Sequence, residues 1–126
     1  MNIKLFQKPY VIRRYEQQVI SDDAYASQSY RDFVTRLNVQ PLSNEELLAL
    51  PEGERTVMRR KAFGKDLLRS ADEAAGTLGD RLFYQDRWYV CISSIKWNGT
   101  ILRHFYSEFV VLPSAEQDPP PEVMPK

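Results

Sequence analysis

Arg81-Leu82-Phe83-Tyr84-Gln85-Asp86-Arg87-Trp88-Tyr89-Val90-Cys91-Ile92-Ser93-Ser94-Ile95-Lys96-Trp97 is the stretch on which the fold turns. Arg81–Tyr84 and Arg87–Trp97 are rich in aromatic and β-branched residues. Only Gln85-Asp86 lies between them, which leaves room for a tight turn and predicts a hairpin. Asn98-Gly99 comes next, the preferred pair for a type I′ turn, because both central residues need positive φ. Thr100–Leu112 stays apolar and aromatic until Pro113, so the three segments predict an antiparallel meander. In the middle strand Trp88, Val90, Ile92 and Ser94 alternate with Tyr89, Cys91, Ser93 and Ile95, and both faces are fairly apolar. Such a sheet either curls into a small barrel or is covered by neighbours on each side.

Upstream, Tyr10–Ile20 and Tyr30–Gln40 read as two more strands separated by the polar stretch Ser21–Gln28. In the second, Phe33, Thr35, Leu37 and Val39 share one face, while Asp32, Val34, Arg36 and Asn38 share the other. Pro41 is expected to stop the ladder, since it has no amide to donate. Ser43-Asn44-Glu45-Glu46 has the pattern of a capping box and predicts one short helix near residues 44–50, ended by Pro51 and Gly53, with Leu47, Leu48 and Leu50 as its buried side. Arg55–Phe63 resembles a strand whose alternation is broken by Arg59-Arg60-Lys61. Residues 56–79 are therefore expected to form a long inserted loop. The fold class that follows is mainly β, in one domain spanning 1–112. The last 14 residues, Pro113–Lys126, hold five prolines, three acids and one lysine. Pro119-Pro120-Pro121 favours polyproline II, and the expectation is an extended tail without fixed structure in the isolated chain, available to dock on a partner.

Length and composition narrow the function. A chain of 126 residues can remove roughly two-thirds of its unfolded surface from water, enough for a core without staples. Seventeen basic residues balance seventeen acidic ones, so no global field draws the chain to nucleic acid or an anionic membrane. No apolar run approaches the roughly 20 residues of a transmembrane helix, and Met1–Tyr10 lacks the apolar segment of a secretory signal, which leads us to expect a cytosolic protein. One cysteine (Cys91) and one histidine (His104) leave the common catalytic and metal constellations nearly empty. Cys91 reads as a small buried hydrophobe and His104 as a structural or interface residue, because a general base needs a second group to orient it. Gly76-Thr77-Leu78-Gly79 lacks the Lys-Ser/Thr of a phosphate loop. We therefore expect no enzyme, cofactor or metal. Arg59, Arg60 and Lys61 have two readings: a charged edge that discourages strand-on-strand aggregation, or a patch following a DNA backbone. Fifteen aromatic residues, 12% of the chain, suit an interface as well as a core.

The order of motifs resembles a known family. Val39-Gln40-Pro41-Leu42-Ser43, Glu46-Leu47 and Leu50-Pro51-Glu52-Gly53-Glu54-Arg55 are similar to a block of small neck proteins in tailed bacteriophages. Asp80-Arg81-Leu82-Phe83-Tyr84 with Arg87-Trp88-Tyr89-Val90 resembles that family's hairpin, and Trp97 followed by His104-Phe105-Tyr106 its closing strand. The likeness runs from about Ile12 to Val111. It departs at Gln85-Asp86, where the family usually carries glycine, and at Gly64 after Phe63, where it usually carries threonine.

These head-closure, or head–tail joining, proteins imply a small antiparallel β-barrel with long inserted loops. The barrel is assembled as a cyclic homo-oligomer, dodecameric or hexameric, around the double-stranded DNA passage. The resemblance implies a place in the virion neck after assembly in the host cytoplasm. Its partners would be portal and adaptor proteins on the head side, and the tail terminator or tail tube on the other. It would help retain packaged DNA and offer the tail a docking surface, with Arg59, Arg60 and Lys61 as candidates to line the channel. An adjacent neck or tail-completion subunit is the alternative within this class. A single-stranded nucleic-acid-binding module, with Trp88, Tyr89, Phe105 and Tyr106 stacking on bases, is the alternative outside it.

Overall fold

A computed structural model describes residues 7–16, 19–20, 26–27, 29–54, 57–72, 74, 77–97 and 104–122, with backbone alone at 19–20, 26–27, 97 and 104. Six antiparallel strands close into a barrel in the order β1 (Lys8–Tyr15), β4 (Tyr30–Pro41), β5 (Arg59–Gly64), β8 (His104–Val111), β7 (Arg87–Trp97), β6 (Arg81–Tyr84), and β6 returns to β1. A separate pair, β2 (Val19–Ile20) and β3 (Ala26–Ser27), lies between β1 and β4 in the chain. The mainly β, barrel-forming reading of the sequence therefore holds.

The inward row of β4 is the one its alternation predicts: Leu37 is in the interior cluster, Phe33 and Val39 pack on it, and Thr35 is buried. Ile12, Ala62, Leu82, Tyr89, Cys91 and Phe109 complete that cluster with Leu68, which comes from the connection between β5 and β6. Pro41 is the last rung of β4, opposite Arg60, rather than the first residue beyond it. The tight hairpin between β6 and β7 is also present. Gln85 and Asp86 both take positive φ (49° and 63°) without glycine, a strained choice for Gln in particular.

Three expectations are corrected. Arg59–Gly64 is an integral barrel strand between β4 and β8, so the inserted loop shrinks to 65–80. Cations are tolerated in β5 because successive side chains leave opposite faces. Trp97 pairs with His104, and the turn expected at Asn98-Gly99 lies outside the described residues. A bulge between Cys91 and Ser93 inserts one extra residue, Ile92, and exchanges the two faces beyond it. Ser94 thus meets buried Ser107 (Oγ–Oγ 3.0 Å) while Ile95 is 55% exposed. The third correction is the tail, whose described part (113–122) is bound to the barrel. α1 (Asn44–Leu48) carries the capping box as read, with Ser43 Oγ accepting from the Glu46 amide and Glu46 Oε1 accepting from the Ser43 amide. Its Leu48, however, is exposed.

Candidate interaction surface: the barrel seam and the C-terminal strap

The barrel closes through its weakest ladder. β1 and β6 share two residue pairs, Ile12↔Leu82 and Arg13↔Arg81. The second sets two guanidinium groups on facing positions, a destabilising arrangement unless an anion intervenes. Two carboxylates supply it on the outer face. Asp32, opposite Arg13 on β4, accepts from Arg13 Nε (2.8 Å) and Nη2 (3.0 Å). Asp118, from the C-terminal segment, accepts from Arg81 Nη1 (2.8 Å), the Tyr15 hydroxyl (2.7 Å) and Arg13 Nη1 (3.5 Å). Burial, then the bond to Asp118, raises the Tyr15 phenol above its ordinary range. The Arg13 guanidinium also lies between two rings, 4.1 Å from the Tyr30 centroid and 4.5 Å from Trp88, and Arg81 lies 4.9 Å from Tyr15. Cation–π contacts are worth roughly 0.5–1 kcal/mol at exposed sites and about 2 kcal/mol where desolvated; Tyr30 is half exposed and Trp88 fully buried.

Residues 113–122 form a strap over this face. A single 3-10 turn (Ser114–Glu116) leads into Gln117, whose amide works like a backbone peptide. Its Oε1 accepts from the Trp88 amide (2.8 Å), and its Nε2 donates to the carbonyls of Trp88 (3.0 Å) and Leu112 (2.8 Å). The Trp88 indole N–H donates to the Pro119 carbonyl at 3.1 Å. Beneath lies a second apolar cluster of Val11, Phe83, Trp88 and Leu112, with Phe83 and Trp88 centroids 5.0 Å apart. Pro121 is buried as well. This small outer core exists because β1, β6 and β7 are apolar on both faces, as the two-sided pattern of β7 requires.

Asp80 holds the other side of the seam. It is fully buried, accepts from Arg14 Nε (2.9 Å) and Nη2 (2.7 Å), and accepts from the Arg69 amide (2.8 Å). Its own backbone bonds Arg69 and Cys91, so one residue ties β1, the loop and β7 together. Gly79 before it is obligatory by space, because a Cβ there would stand 2.6 Å from the Cys91 carbonyl oxygen and 2.7 Å from the Ala71 nitrogen. Burial pushes the Cys91 thiol up to about 12, and its Sγ donates to the Ser93 carbonyl. That is an inert core thiol.

The cationic run is dispersed. Arg59 pairs with Glu54 (3.4 Å) and Lys61 with Glu46 (2.6 Å), whereas Arg60 lies 5.8 Å from the ring of Tyr84, which packs on the interior cluster. Lys61 and the Ser43 amide hold the Glu46 carboxyl down to about 2. Glu46 also receives the Tyr106 hydroxyl (3.4 Å), which donates to Glu108 at 2.9 Å, and so docks α1 on the outer face of β5 and β8. These three cations do not form one stripe. Gln40 and Pro41 are the last two rungs of β4, opposite Lys61 and Arg60, Leu42 leads from it towards α1, and Leu50, Pro51 and Gly53 follow α1 into a short 3-10 turn (Glu52–Glu54). Arg55 lies outside the described residues, and Trp97 and His104 are opposite each other in the ladder as backbone. Trp88 and Tyr89 are both fully buried, so neither can stack on a base. Among the described residues no three His, Cys, Asp or Glu side chains converge as a metal site. Sequence reasoning missed Arg13, Asp32, Gln117 and Asp118. The only available signal was the opposition of like charges that strand pairing would create.

No family model matches this chain. It is 33% identical over 90 residues to an uncharacterized protein of Xylella fastidiosa (strain 9a5c), an alignment covering 71% of this chain and 64% of that protein. The chain thus spans about 64% of the length of the relative it matches.

Proposed function

We propose that this protein is a structural subunit of a tailed-phage neck. It would form a ring that extends the portal–adaptor connector, helps retain packaged double-stranded DNA and offers the tail its docking surface. The observation that carries the reading is that the residues behind the resemblance build scaffold. Asp80 and Arg81 hold the seam, Trp88 anchors the strap, Tyr89 fills the interior, Gln40 and Pro41 end the β4 ladder, and residues 42–53 form the segment that docks through Glu46. A subunit whose distinctive residues serve shape suits assembly rather than turnover. In this reading DNA retention does not depend on Arg59, Arg60 and Lys61 acting as one stripe.

The test is deletion of the gene from the phage or prophage that encodes it. DNA-filled, leaky heads beside complete free tails are expected, with the protein found at the neck of intact particles. Infectious particles without it, or its absence from the neck, would overturn the proposal.

A further inference from the structure

The face under the strap is built like a peptide-recognition groove. Trp88 offers its amide, its carbonyl and its indole N–H to three atoms of an extended segment. Arg13, Arg81 and Tyr15 converge on one carboxylate of that segment. Three of these four groove residues are buried: Trp88 fully, Arg13 at 4% exposure and Tyr15 at 9%. The ligand is compact in sequence, with Gln117 supplying the amide, Asp118 the carboxylate and Pro119 the carbonyl. The tether before it, Pro113–Glu116, is exposed and folded only by its own turn.

We infer that this groove is a binding site for an extended Gln-Asp-Pro-Pro-Pro segment, filled within the isolated chain by its own residues 117–121 and, where copies stand side by side, by the same segment of a second copy. A segment that fits its own groove makes identical contacts in a neighbour's. Exchange therefore conserves the contacts between segment and groove at the expense of the tether's own turn bonds, and the outcome is set by effective concentration and tether length. Four prolines from Pro113 to Pro121 keep the segment extended in either position and reduce the ordering cost of capture. The acidic segment also matches the facing Arg13–Arg81 pair, which no other described carboxylate bridges. The inference stands apart from the neck reading and is tested on purified protein alone.

Two full-length variants separate the halves of the contact. D118A keeps an intact groove with a defective strap, and R81A keeps an intact strap with a defective groove. Each alone should sediment as a monomer, whereas an equimolar mixture should form heterodimers whose fraction rises with concentration. A synthetic peptide of residues 113–126 should bind folded D118A one to one, shifting the Trp88 indole resonance, and the same peptide carrying Asp118→Ala should bind at least tenfold more weakly. Peptide binding with a mixture that stays monomeric would overturn the second copy as occupant. Failure of both experiments would overturn the site. Should D118A not fold, the full chain with a protease site placed at Ser114-Ala115 is cut after folding. A released segment that does not rebind then overturns the site, and one that rebinds supports it.

Discussion

The β7–β8 hairpin and the β1–β6 seam are the two extremes of this barrel. Along the hairpin eight residue pairs run from Tyr89↔Val111 to Trp97↔His104, with one bulge. Across the seam there are two pairs, one of which opposes two arginines. The hairpin is held by its own backbone. The seam is held by side chains: Asp32 from β4 and, from segments that are not strands, Asp80 at the end of the loop and Asp118 in the strap. The lesson is that closing this barrel depends on residues outside its ladders, so loss of a Pro-rich segment acts on the fold more than its composition suggests.

Truncation after Leu112 should have the largest effect. It uncovers Trp88, removes the Gln117 bonds and leaves Arg13 and Arg81 facing each other with one fewer anion. Losing several partly buried hydrogen bonds and one carboxylate of a partly buried charge cluster costs on the order of 4 kcal/mol. Urea unfolding would read this as a large fall in midpoint, and an unchanged midpoint would break the comparison. Asp80→Asn comes next. It leaves Arg14 without its counter-charge in a site where Asp80 is fully buried, at a cost of about 3 kcal/mol. The same unfolding curve checks it.

Smaller effects belong to the hairpins and to α1. Replacing Gln85-Asp86 by Asn-Gly supplies residues that accept positive φ at both turn positions and should stabilise by about 0.5–1 kcal/mol. Lys61→Met should cost only a few tenths of a kcal/mol, roughly the worth of a partly exposed pair. Its pH signature is sharper. Because the Glu46 carboxyl is held down to about 2 from an ordinary 4.5, its contribution is present above pH 4.5 and is lost as pH falls towards 2. The variant should lose stability less steeply than the parent across that window, and parallel curves would contradict the pairing.

Legibility in the sequence divides along the same line. The inward row of β4, the Gln85-Asp86 turn and the Ser43–Glu46 capping box were readable because each follows from neighbours in the chain. Arg59-Arg60-Lys61 are adjacent in sequence, which suggests a patch, whereas a strand sends alternate side chains to opposite faces. The strap was misread for a different reason. Proline content describes how a free chain behaves, and nothing local reveals that Gln117 meets the Trp88 peptide, 29 residues away in the chain. Asp80 and Arg81 were visible as motif residues, but the chemistry that needs them appeared only when Arg14 and Asp118 came into view.

Residue-resolved amide hydrogen exchange on D118A against the parent chain tests the central claim most directly. If the strap closes the seam, protection should fall selectively at Arg13, Arg81, Leu82 and Trp88, while the β7–β8 amides between Ser93 and Ser107 keep theirs. Equal protection throughout, or a uniform loss that includes the hairpin, would contradict the account.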